Sequence, residues 1–174
     1  MSGYNVESIS IDGNSTRDGF ISSLLDGTER YIHISSHGGE NGFYIHGKRN
    51  APVAIKHIST HCGVKKPLKH RFLTVSACGD PNLFFWKEFN KITGVSAVIS
   101  PMGKVNFSDS AMFFASFYFA LLRHPRSSIN SVTSDRLIDF IDTFQRTKGA
   151  HLTLGGNGAF RLCFWHNNDF KEII

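Results

Sequence analysis

The chain has 174 residues, of which 41% are hydrophobic and 13% aromatic, enough for a single domain across residues 1–174 and too few for two of ordinary size. Its formal charge is +5, but the lysines and arginines are scattered, with small groups at Lys48-Arg49 and in residues 65–71. A solvated basic surface is expected, with some long-range attraction for an acidic partner, and direct nucleic-acid binding is not.

The first residues carry no charged segment leading into an apolar run and a small-residue cleavage site, so a cytoplasmic protein is expected. The most apolar stretch, residues 111–122, is shorter than the roughly 20 residues needed to cross a bilayer. It reads as a buried helix, and no membrane partner is expected. The three cysteines, at positions 62, 78 and 163, form neither a paired framework nor a Cys-x-x-Cys motif, so each is judged alone.

In chain order, residues 6–11 read as a short edge strand turned by Asp12-Gly13-Asn14. Ser15-Thr16 caps a helix whose Phe20, Ile21, Leu24 and Leu25 form an apolar stripe, ended by Asp26-Gly27. Residues 30–36 give a central strand, which Gly38-Gly39 is expected to stop, and residues 43–45 read as one arm of a hairpin. Pro52 suits the first turn of a helix with Ile55, Ile58 and Cys62 on one face and Gly63 at its end. Residues 71–77 form the next strand, 84–92 a helix and 95–99 a third strand. Ser108-Asp109 caps the phenylalanine-rich helix that runs to about residue 123. Ser134 precedes a further helix with Leu137, Ile138, Ile141 and Phe144 on one face and Gly149 beyond it. Residues 160–165 make the last strand.

Strands that alternate with helices and are themselves almost continuously apolar predict an α/β protein, a three-layer α/β/α sandwich around a mostly parallel sheet. In such sheets, sites lie beyond the carboxyl ends of the strands. Two strands end in chemistry: Tyr31-Ile32-His33-Ile34-Ser35-Ser36 runs into His37-Gly38-Gly39, and Leu73-Thr74-Val75-Ser76-Ala77 runs into Cys78-Gly79-Asp80. Adjacent strands stand roughly 5 Å apart, so His37 and Cys78 are expected to face one cleft.

A thiol attacks well only as thiolate, and an imidazole beside it favours ionisation and passes a proton to a departing amine. The backbone amides of Gly38 and Cys78 are the candidate oxyanion donors. Asp80, and Ser76 within the strand, are candidates for a substrate pocket, although an acidic residue after a strand is commonly a turn or cap residue.

A strand ending in His-Gly followed by a strand ending in Ser-Ala-Cys resembles the caspase-related cysteine peptidases of clan CD, and within them the CHAT branch. Residues 94–101, Asp109-Ser110-Ala111 and residues 117–122 are similar to the strand, loop and helix that follow the cysteine there, and the likeness spans roughly residues 16–164. The resemblance implies a caspase-like fold and a cysteine endopeptidase. It implies that Cys78 attacks a peptide carbonyl, with His37 as general acid and base, through an acyl-enzyme and without a cofactor. Ser76 stands where caspases have a glutamine that helps bind an aspartate side chain and where metacaspases have an aspartate, so neither specificity carries over. Asp80 would favour a basic side chain. Small CHAT-like proteins resemble components of prokaryotic defence systems, which implies a protein or peptide substrate and activation by a separate partner such as a sensor protein or by an upstream protein that cuts the chain.

Rival readings are a non-catalytic interaction module that keeps the fold, and an α/β-hydrolase with a cysteine nucleophile. The hydrolase needs a Gly-x-Cys-x-Gly elbow and a later histidine, drawn from His124, His151 or His166. Cys62 and Cys163 read as core residues. His57 and His61 have the four-residue spacing of metal ligands, yet no third ligand follows at suitable spacing and no metal is expected. Gly155-Gly156-Asn157-Gly158 lacks the Lys-Ser/Thr of a phosphate loop and reads as a hairpin turn.

Overall fold

A computed structural model describes residues 16–44, 52–77, 79, 81–103, 105–123, 160–166 and 169–173. The edge strand expected over residues 6–11, the helix after Ser134 and the glycine turn at 155–158 lie outside the described residues, as do Lys48-Arg49, His124 and His151.

The chain forms α1 (Arg17–Asp26), β1 (Tyr31–Gly39), β2 (Gly42–Tyr44), β3 (Pro52–Val53), α2 (Ile55–Cys62), β4 (Phe72–Ala77), α3 (Leu83–Thr93), β5 (Ala97–Pro101), α4 (Phe107–Arg123), β6 (Phe160–His166) and β7 (Asp169–Ile173). The strands make one sheet in the order β3-β2-β1-β4-β5-β6-β7. The protein is therefore α/β, but its sheet is mixed where a mostly parallel one was expected. The β1–β4 and β4–β5 pairings are parallel, and the pairings β1–β2, β2–β3, β5–β6 and β6–β7 are antiparallel. The reason at one end is local: two residues, Glu40 and Asn41, join β1 to β2, and so short a connection permits only an antiparallel hairpin.

That hairpin also corrects the extent of β1. The strand does not stop before Gly38-Gly39, because His37, Gly38 and Gly39 pair with Tyr44, Phe43 and Gly42. His37 is thus a strand residue, not the first residue after a strand. Pro52 likewise opens no helix: it lies in β3 opposite Tyr44, where an edge position tolerates its missing N–H, and α2 begins at Ile55.

Helix ends follow side-chain chemistry. The Thr16 hydroxyl accepts from Gly19 N at the start of α1, and Asn82 Oδ1 accepts from Phe85 N at the start of α3. Asn106, not Ser108 or Asp109, caps α4, its Oδ1 accepting from Asp109 N at 2.8 Å. Gly94 ends α3 in the left-handed region at φ 73°, with its N–H on the Asn90 carbonyl, a conformation glycine adopts without steric cost.

Strand alternation separates two cores. Ile34, Leu73, Val75, Ala77 and Val98 pack with Ile21, Leu24 and Leu25 of α1, Ile58 and Cys62 of α2, and Phe85, Trp86 and Phe89 of α3. Phe72, Ala97, Ile99, Phe160, Leu162 and Phe164 pack instead with Phe113, Phe114, Phe117 and Leu121 of α4. Both expected core cysteines, Cys62 and Cys163, are buried. Among the described residues no helix is long and apolar enough to cross a membrane.

The Phe43 ring ties the hairpin to the first core, meeting the rings of Phe20, Phe85 and Trp86 at centroid separations of 6.3, 5.7 and 5.7 Å. Phe43→Ala is expected to cost about 3–5 kcal/mol of stability, read as a shift in the urea unfolding midpoint at unchanged slope.

Candidate active site at the ends of β1 and β4

β1 and β4 run parallel in continuous register from Tyr31↔Phe72 to Ser36↔Ala77. The next residues along the two chains are His37 and Cys78. Cys78 and Asp80 lie outside the described residues, but the residues on both sides of Cys78 are described. Ala77 pairs with Ser36, and Gly79 lies against the backbone of Gly38. A Cβ built on Gly38 would come within 2.5 Å of the Gly79 carbonyl oxygen and 3.0 Å of the Ala77 Cβ, and one built on Gly79 would collide with the Gly38 carbonyl. Only hydrogen fits at either position. One step further, Asn82 N–H meets the Glu40 carbonyl at 3.5 Å, so the turn after β4 is laid against the tip of the β1–β2 hairpin.

His37 is exposed at this edge, and the Ser36 hydroxyl donates to its carbonyl at 3.1 Å. Tyr44, which pairs with His37, sets its ring against Gly39, where an added Cβ would come 2.9 Å from the phenol. Ser76, the pocket candidate, is half-buried, with its Oγ 2.8 Å from the Oγ of buried Ser110 in the first turns of α4. This hydroxyl pair fixes the start of α4 beside the end of β4. Of the five site residues expected, the described structure therefore brings His37, Gly38 and Ser76 to the carboxyl ends of two neighbouring strands.

A second polar group lies one turn of the pleat below, and sequence reasoning missed it. His33 Nδ1 is 2.8 Å from Thr74 Oγ1 and 3.2 Å from the Tyr118 hydroxyl. The Thr74 hydroxyl also contacts the Tyr118 hydroxyl and the Ile32 carbonyl. Burial pushes the Tyr118 phenol up to about 12, against a smaller opposing effect of its bond to Thr74, so it stays protonated and donates. Partial loss of solvent holds His33 below its ordinary value, even though the residue as a whole retains exposed surface. A signal was present: His33 and Ser35 are set among Ile32, Ile34 and Ser36 on β1, with His37 next at the same period, and Thr74 and Ser76 alternate with Leu73, Val75 and Ala77 on β4. That pattern marks a polar stripe on the face covered by α4.

The other histidines of interest are occupied elsewhere. His57 Nδ1 accepts from Ala54 N at the start of α2, and its Nε2 is 3.0 Å from the Arg17 guanidinium. His61 Nδ1 donates to the His57 carbonyl. Burial pushes the Cys62 thiol up. Among the described residues no group of three metal-ligating side chains converges.

No protein family model matches the sequence, and no curated protein or solved structure matches the chain.

Two outcomes test this geometry. Gly38→Ala is expected to destabilise the protein by about 1–3 kcal/mol, because the new methyl must displace the Gly79 carbonyl; thermal unfolding measures it. For His33 the folded-state value is depressed, so the unfolded chain takes up a proton first as pH falls. The associated stability is complete above the unfolded value near 6.5 and is lost as pH drops through it toward the folded value. His33→Asn, which keeps an acceptor near the Nδ1 position without titrating, is expected to flatten the fall in melting temperature below neutral pH.

Proposed function

We propose that the chain is a caspase-like cysteine endopeptidase of CHAT type, with Cys78 as nucleophile and His37 as general acid and base. The observation that carries this reading is the β1–β4 register. It brings Ser36 opposite Ala77 and the Gly38 backbone against Gly79, so a histidine and a cysteine follow directly from neighbouring rungs at the carboxyl edge of a parallel pair. The two cores on opposite faces of the sheet support a three-layer arrangement of the caspase kind.

In the proposed reaction His37 takes the thiol proton and the Cys78 thiolate adds to the scissile carbonyl carbon. The oxyanion accepts hydrogen bonds from the backbone amides of Gly38 and Cys78. Collapse breaks the C–N bond as the His37 imidazolium gives its proton to the departing amine, leaving a thioester. Water, deprotonated by His37, then hydrolyses the thioester and frees the thiol. No cofactor takes part. Ser76 and Asp80 are the proposed pocket residues, and Asp80 would favour a basic side chain. The setting proposed is cytoplasmic, as an effector in a prokaryotic defence system whose protein substrate is cut after a sensor partner activates it.

The test is a set of peptidyl electrophiles varied at the side chain before the scissile bond, applied to wild type, Cys78→Ala and His37→Ala, with the attachment site read by mass spectrometry. Wild type is expected to be modified at Cys78, and Cys78→Ala not at all. For His37→Ala the rate should fall about 10²–10⁴-fold. Labelling of folded protein that ignores Cys78, or that survives His37→Ala at full rate, overturns the dyad and leaves a non-catalytic interaction module.

A further inference from the structure

The end of the sheet opposite His37 carries a different feature. Between α2 and β4 the chain makes a short excursion, residues 63–71, whose shape is fixed by its own backbone. Lys65 N–H bonds the Cys62 carbonyl at 3.0 Å, Lys69 N–H the Lys66 carbonyl at 3.1 Å, and Arg71 N–H the Leu68 carbonyl at 3.0 Å. Leu68 is wholly buried, with its N–H on the Thr93 carbonyl at 2.9 Å, and it pins the excursion to the end of α3. Lys69 forms an isolated bridge with Val95.

The side chains left outside this frame are unusual in combination. Val64 is fully exposed, and it follows Gly63, beside which an added Cβ would meet nothing within 4 Å. Lys65, Lys66, Lys69 and His70 are all exposed. None of the three lysines makes an ion pair among the described residues, although Asp26 at the end of α1 and Glu29 before β1 stand exposed at the same end of the sheet. Arg71, by contrast, turns its guanidinium back to the Gly27 carbonyl and belongs to the frame.

We propose that the excursion over residues 63–70 docks the protein reversibly on an anionic bilayer surface, with Val64 entering the headgroup boundary and Lys65, Lys66 and Lys69 at the level of the lipid phosphates. Two arguments select this occupant. Eight residues present too little area for a specific protein interface, which needs about 800 Å² from each partner. A membrane needs no fixed complementary geometry, and each lysine near an anionic surface raises affinity about fivefold. A nucleic acid would use the lysines but leave the apolar tip idle, and residues 63–70 hold no Phe, Tyr or Trp as a stacking platform, His70 being the one aromatic ring among them. Docking of this kind departs from the expectation, drawn from the sequence, of no membrane partner; a contact on the bilayer surface needs no spanning segment. β4 separates the excursion from the His37 edge by about 20 Å, so a docked protein holds that edge toward water.

The experiment is co-sedimentation of the full chain with phosphatidylserine-containing vesicles and with pure phosphatidylcholine vesicles, beside a mixed-sequence single-stranded oligonucleotide as a competing polyanion. Wild type is expected to bind the serine-lipid vesicles in a salt-sensitive way and to ignore the neutral ones. Lys65→Ala, Lys66→Ala and Lys69→Ala together should weaken binding roughly a hundredfold. Val64→Ser should weaken it about tenfold, and Val64→Trp should strengthen it. These residues are exposed, although the Lys66 stem lies along Gly94 at the end of α3, so melting temperatures are measured beside binding and only variants that melt like wild type are compared. Equal binding to both vesicle types, or a triple variant that binds like wild type, overturns the proposal. Loss in the triple variant with Val64→Ser and Val64→Trp both unchanged, and tighter binding of the oligonucleotide, also overturns it and assigns the lysines to nucleic acid.

Discussion

The β1–β4 pairing can close only because two glycines meet where it ends. Up to Ser36↔Ala77 the parallel register holds the strands at ordinary spacing. Beyond it β1 continues into a hairpin while the chain after β4 turns away toward α3, and the two backbones come together at Gly38 and Gly79, where no side chain fits. The hairpin tip, the turn before α3 and the exposed imidazole of His37 all take their positions from that contact. An edge assembled on backbone in this way owes its geometry to main-chain packing more than to side-chain bonds. The bonds around it, such as Ser36 to the His37 carbonyl and Asn82 to the Glu40 carbonyl, are few and lie close to the surface.

The two faces of the sheet are built differently. Against α1, α2 and α3 the strands present aliphatic side chains, and the interior is sealed by Phe43, Phe85, Trp86 and Phe89. Against α4 the strands differ from one another. Along β4, Phe72 meets Phe117 first and Thr74 and Ser76 then meet Tyr118 and Ser110, while the β5 side stays apolar, from Ala97 and Ile99 to Phe160 opposite Pro101. The hydroxyls on this face pair with one another, Thr74 with Tyr118 and Ser76 with Ser110, which leaves none of the four buried without a partner.

Much of this was legible in the sequence, and what was not has physical causes. Short β-branched runs identified β1 and β4, and the helical stripes of α1 and α3 were readable because their buried residues recur at the helical period. Gly38-Gly39 misled, since glycine usually interrupts a strand; here it continues one because β2 supplies its pairing partners, Phe43 and Gly42, from only five and three residues away. Pro52 carried two meanings, and the pairing with Tyr44 chose between them. β7 was missed because Asp169, Lys171 and Glu172 hide a strand whose Phe170 meets Trp165. Alternation assigned Thr74 and Ser76 to a face of β4, but nothing in the local pattern names Tyr118 or Ser110 as their partners. Those contacts are made across more than thirty residues of chain, by elements whose neighbourhood is a tertiary fact.

The order in which β5 acquires its neighbours bears on how the chain is made. β5 is buried along its whole length, flanked by β4 on one side and β6 on the other. β4 precedes it closely in the chain, but its other partner pairs Ala97 with Phe164 and Pro101 with Phe160, residues synthesised much later. On the ribosome the strands bearing His37 and Ser76 are complete while one flank of β5 still shows unpaired N–H and C=O groups beside apolar side chains. Closing that flank requires a distant segment, which slows folding and leaves an adhesive edge in the interval. The nascent protein is thus most open to aggregation after β1 and β4 exist and before β6 emerges, and a chaperone that binds extended apolar strands would find its target there.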